Sequence, residues 1–90
     1  MLSRTAAIRM AIEFLTVWME PDHAAAAVHI TDVIHDPDQP EAAGMAVTGL
    51  LNLSKFLLFR LAREHGATSD DEIQGKASEI LRELSLRLPE

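Results

Sequence analysis

The chain of 90 residues has no cysteine, no lysine or arginine between Arg9 and Lys55, and no apolar run long enough to span a bilayer. Without cysteine there is no disulfide scaffold and no thiolate metal site, which excludes a small stapled secreted fold and suits a reducing cytoplasm, where the protein is expected. The shortage of bases leaves eight Lys and Arg against 14 Asp and Glu, a net charge of -6. That balance argues against binding a nucleic-acid backbone or an anionic membrane. The most apolar stretch, Leu50 to Ala62, is interrupted by Lys55 and Arg60, and a membrane span needs about 20 apolar residues. After Arg4 and Arg9 the apolar character is broken by Glu13 and Glu20 without a secretory cleavage site. No membrane contact is expected.

Missing motifs narrow the chemistry further. There is no glycine-rich phosphate loop, no nucleophile elbow and no Ser/His/Asp set that spacing alone would bring together, so an enzyme is not expected and no cofactor is implied. Thr68 and Ser69 are accounted for by helix capping. Glu64 and His65 fall at a helix end, where the macrodipole favours a histidine.

What is present is oil with helical spacing. Thirty large apolar residues and 13 alanines stand against 22 charged ones, a composition that folds. Four segments show helical periodicity and none shows sustained strand alternation, which predicts an all-α protein, a compact four-helix bundle-like domain occupying the whole of 1–90. The helices are expected over about 3–20, 22–36, 40–65 and 69–88. Pro21 interrupts the first; Asp36-Pro-Asp-Gln-Pro is the one clear connector, and Gly66 follows the third helix at the position where a left-handed conformation is common. Ser69, with Asp70, Asp71 and Glu72 behind it, is the best start signal in the chain, a capping box.

Helix faces can be assigned from the same spacing. The first helix is apolar except for a stripe of Arg9, Glu13, Thr16 and Glu20, with one ridge of Ile8, Ile12, Leu15 and Met19 and another of Ala7, Met10, Phe14 and Val17. The second turns Ala26, Ile30, Val33 and Ile34 inward. The third, the long central member, is expected to bury a main ridge of Ala46, Leu50, Leu53, Leu57 and Leu61, with Met45, Phe56 and Phe59 on another side. Gly44 and Gly49, with Ala42, Ala43, Ala46 and Thr48, offer a small-residue surface for close packing, or a place for a kink. The fourth carries Ile73, Ala77, Ile80, Leu81, Leu84 and Leu88 on one stripe and ends at Pro89.

Three functional readings follow. More large apolar side chain is present than four short helices hide among themselves, which points to a non-enzymatic interaction or regulatory module that binds another protein and self-associates as a homodimer. Its contact residues are expected to be Trp18, Met45, Phe56 and Phe59, with Asp32, Asp36 and Asp38 as an acidic steering surface. The second reading is a small-ligand or divalent-metal binder: His29, Asp32 and Asp36 share one helical face, although a zinc site usually draws three or four ligands from more than one element. The third is a DNA-binding regulator, since Ala62 and Gly66 match a helix-turn-helix turn. The match fails beyond it, because Glu72 and Gly75 stand where apolar anchors belong and Asp70, Asp71 and Glu72 would face phosphate.

The stretch from Gly49 to Thr68, with its small-Leu-x-Asn-Leu, Leu-Ala and Gly-x-Thr pattern, followed by an acidic capped helix ending Leu81-Arg-Glu-Leu, resembles small helical proteins of actinobacteria and their phages. The resemblance covers the last 42 residues. It implies a bacterial or phage origin and an accessory or regulatory role, and it transfers no functional residue.

Overall fold

A computed structural model describes residues 3–89, and it contains four α-helices: α1 (Arg4–Trp18), α2 (His23–Ile34), α3 (Ala42–Glu64) and α4 (Asp70–Arg87). No strand occurs among the described residues. The all-α architecture and the long third helix are those the periodicity implies.

Each boundary has a local cause. Ser3 Oγ accepts the Ala6 amide at 3.3 Å, Asp22 Oδ1 accepts the Ala25 amide at 3.0 Å, and Ser69 Oγ accepts the Glu72 amide at 3.1 Å, so three helices begin on a side-chain cap. Glu72 does not close the box on its own cap residue; Oε2 accepts the amide of the preceding Thr68 at 3.3 Å. The connector before α3 is held by Asp36 Oδ1, which accepts the Asp38 amide at 2.9 Å and forms an Asx turn around Pro37. At the other end, Gly66 adopts φ +99° and the Ala67 amide donates to the Ala62 carbonyl at 3.2 Å. Replacing Ser69 by Ala should therefore lower stability by about 1 kcal/mol, read as a drop in thermal midpoint, because an orphan donor of α4 loses its partner.

The chain groups into two compact units, Met1–Leu53 and Ser54–Glu90, and α3 runs unbroken through the boundary. In the first unit α1 meets both α2 and the first half of α3. Ala7, Ala11 and Phe14 of α1, Ala26 of α2, and Ala42 and Ala46 of α3 are buried. The contact of α1 with α3 is centred on Gly49: a Cβ added there would overlap the Ala7 carbonyl oxygen, stand 2.6 Å from the Ala7 carbonyl carbon, and lie 3.2 Å from Ala11 Cβ. Small residues on both sides let the two backbones approach. Gly44 has no such role, since a Cβ there meets nothing within 4 Å. The helix does not break at either glycine.

This close approach decides which faces turn inward. On α1 the ridge containing Ala7 and Phe14 is the buried one, while Ile12 and Met19 of the alternative ridge are exposed. On α3 the inward stripe in this unit is Ala42, Ala46 and Gly49, with Met45 and Leu53 half-buried beside it. The expected main ridge is corrected accordingly: Ala46 is buried and Leu53 half-buried, whereas Leu50, Leu57 and Leu61 face solvent.

In the second unit the end of α3 pairs with α4. Ala62, Ala67 and Ile73 form its core cluster, Phe59 packs against them, and Ala77 is buried one turn further along α4. The stripe expected on α4 is covered only in its first half: Ile80 is half-buried, but Leu81, Leu84 and Leu88 are exposed.

Among the described residues, eight of the ten buried apolar ones are alanines; Phe14 and Ile73 are the large ones. A fully buried Leu, Ile or Phe contributes about 1.5–3 kcal/mol and each further CH2 about 0.8, so an alanine core returns little per residue. Among the described residues the large apolar side chains sit predominantly outside the core.

Candidate functional site

The third helix carries the most regular part of this uncovered surface. Val47 is 60% exposed, Leu50 40%, Leu57 50% and Leu61 39%. With the exposed Ala43 and Ser54 they step four, three, four, three and four residues along the helix, the heptad spacing of a helix-pairing seam. Leu51, 68% exposed, and the half-buried Leu58 widen the seam on one side. The stripe belongs to one unbroken helix. No charged side chain falls on it. The free half of the α4 stripe, Leu81, Leu84 and Leu88, is a second apolar surface.

The four aromatic and methionine positions singled out by sequence separate in the structure. Phe56 is 57% exposed. Trp18 is 44% exposed, but one face of its indole is covered by His23, with ring centroids 4.3 Å apart and planes 7° from parallel. Met45 is half-buried beside the Gly49 crossing. Phe59 is half-buried against Ala62, Ala67 and Ile73, and Lys55 Nζ lies 5.4 Å above its ring, so its cover comes from its own hairpin and a cation–π contact. The structure does not gather these four into one patch. What spacing alone did not reveal is that the stripe from Ala43 to Leu61, with its 4-3-4-3-4 steps, is exposed.

Asp32 and Asp38 are exposed, while Asp36 is half-buried and committed to the connector turn. Asp36, Asp38 and Glu41 are acids without a lysine or arginine beside them at the entry to α3. Near its exit, Arg60 pairs with Glu64 at 3.6 Å, one turn away on the same helix and well solvated.

His29 does not assemble with Asp32 and Asp36. Its Nε2 lies 3.2 Å from Glu13 Oε1 across the α1–α2 contact, and among the described residues no three His, Asp or Glu side chains are grouped so that they could hold a metal ion. Glu13 and His29 come from different helices, so spacing within either one could not reveal the pair.

By length and composition alone α3 is also the one described helix able to cross a membrane, with 17% of its 18-residue apolar window buried. Lys55 stands two positions past the middle of that helix, where a bilayer would place it at its centre at a cost of about 2.5–3.5 kcal/mol. No family model, curated protein or solved structure matches the chain.

Proposed function

We propose that the protein is a non-enzymatic interaction module, of bacterial or phage origin and acting in the cytoplasm, that docks onto a protein chain through the apolar stripe of α3. The observation that carries this reading is the inverted distribution of side chains: alanines inside, and Val47, Leu50, Leu51, Leu57 and Leu61 outside at helix-pairing spacing. The interior of a helical pair is the environment that such a stripe matches. The acids Asp36, Asp38 and Glu41 at its start, with no lysine or arginine beside them, add a directional field, which affects orientation and encounter more than affinity. Lys55 argues for a protein partner over lipid, and the net charge of -6 argues against nucleic acid. The resemblance to small actinobacterial and phage proteins supports an accessory or regulatory role.

The test is a photo-crosslinking residue placed at Leu57, compared with one at the exposed Gln74 of α4, in cells producing the chain. The expected result is protein adducts, to a second copy or to another chain, from position 57 and not from position 74. The reading fails if position 57 yields no protein adduct, or if the chain floats with phosphatidylcholine–phosphatidylglycerol vesicles.

A further inference from the structure

The turn between α1 and α2 carries an aromatic surface that the α3 stripe does not account for. We propose that this turn is a second docking site, independent of the stripe, and that its occupant is an arginine side chain of a basic protein segment, laid on the open part of the Trp18 indole. His23, the first residue of α2, stacks on one side of that ring with centroids 4.3 Å apart and planes 7° from parallel, so the fold holds the indole in place before anything binds. With this cover in place Trp18 is still 44% exposed, and Met19 beside it is 76% exposed. Indole is the best of the side-chain rings for receiving a cation, and among the described residues the one cation–π contact is at Phe59. The Trp18 ring is left without one.

Charge identifies the occupant. The unit Met1–Leu53 holds seven side-chain carboxylates and two guanidiniums. Both bases, Arg4 and Arg9, lie in the first half of α1, and the nearer is about 14 Å from Trp18 along the helix at a rise of about 1.5 Å per residue. Glu20 and Asp22, both exposed, flank Pro21 in the turn, each within two residues of one of the stacked rings. Glu20 makes no ion pair among the described residues, and Asp22 uses Oδ1 to cap α2, which sets its carboxylate against the positive end of that helix. The last turn of α1 contains no base, so the negative end of its dipole is unmatched as well. A cation brought to this turn therefore meets an aromatic surface, carboxylates and a helix C-terminus, with no lysine or arginine of the same unit to repel it. Arginine suits the site better than lysine. Its planar guanidinium stacks on a ring while its edge N–H groups donate to carboxylates, and it gives up water more readily than an ammonium.

Trp18 is the only tryptophan and the chain has no tyrosine, so indole emission reports on this turn. The full chain is titrated at low ionic strength with a short peptide of alternating arginine and alanine, blocked at both ends, and with its lysine counterpart; Trp18 emission and calorimetry are read together, and circular dichroism checks that each variant stays helical. The arginine peptide should change the emission saturably and bind several-fold more tightly than the lysine peptide. Trp18→Leu, followed by calorimetry, and Glu20→Gln should each weaken binding about 2–5-fold, the range of one exposed cation–π contact or ion pair. Asp22→Asn keeps a capping oxygen, removes the charge and should weaken binding likewise, whereas Trp18→Phe keeps an aromatic surface and should retain most of it. Glu83→Gln, the same charge change at an exposed position of α4, should leave the affinity unchanged. No change in emission, or equal binding of the two peptides, overturns the inference. So does a loss with Glu83→Gln equal to that with Glu20→Gln, which would make the attraction one of net charge, and so does free arginine binding as tightly as the peptide, which would make the occupant a small molecule. The outcome is separate from that of the Leu57 cross-link, which reads the other surface.

Discussion

Gly49→Ala should lower the thermal midpoint by about 10–15 °C, whereas Gly44→Ala, five residues earlier on the same helix, should raise it. Both changes gain the same helix propensity, up to about 1 kcal/mol over glycine. They differ in what the new methyl group meets. At Gly44 it meets nothing within 4 Å; at Gly49 it overlaps the carbonyl of Ala7, a backbone group that can move only if α1 moves. Overpacking of a tight contact costs about 1–3 kcal/mol, and more where the obstacle is backbone, so a net loss of about 2 kcal/mol is expected, at roughly 4–8 °C per kcal/mol for a domain this small. Thermal unfolding of the two variants measures it. Equal midpoints would mean that α1 does not rest on Gly49.

Phe14→Ala should be the most damaging single truncation in the first unit. Phe14 is the large side chain that the alanine core surrounds, at 3% exposure, with Ala7 and Ala11 before it on the same helix. Removing it should cost about 3–5 kcal/mol, since alanine neighbours have no flexible side chains with which to collapse into the space. Against a total stability of about 0.05–0.15 kcal/mol per residue this is a large share. Met19→Ala, at 76% exposure, should change little. Urea midpoints for the two variants check the contrast, and similar losses for both would contradict the buried position of Phe14.

The helices and their ends were legible because their causes are local. Ser3, Asp22 and Ser69 offer capping oxygens, Pro21 and the Asp36–Pro40 connector stop helix propagation, and Gly66 is the residue that takes a positive φ. The faces of α3 were not legible. Periodicity gives the spacing of apolar residues but not which of two neighbouring stripes faces inward, and on α3 Leu50, Leu57 and Leu61 made the more apolar one. The outcome depends on a tertiary fact, that Gly49 admits the backbone of α1 and draws Ala42 and Ala46 in with it. The leucines are thereby left at the surface. Likewise the Trp18–His23 stack depends on how the Pro21 turn brings two helix ends together, and the Glu13–His29 contact on how α2 lies against α1. The surplus of apolar residues over what the chain buries was legible; its location was not.

Sedimentation equilibrium over a wide range of concentration tests the central claim most directly. A chain that keeps its alanines inside and its leucines at pairing distance outside should move from 9.9 kDa toward twice that mass as concentration rises, with Leu57→Asp shifting the transition to much higher concentration while leaving α3 helical. A single species of 9.9 kDa at every concentration, unchanged by Leu57→Asp and giving no protein adduct from position 57 in cells, would contradict the claim that the stripe on α3 is made to be covered by protein.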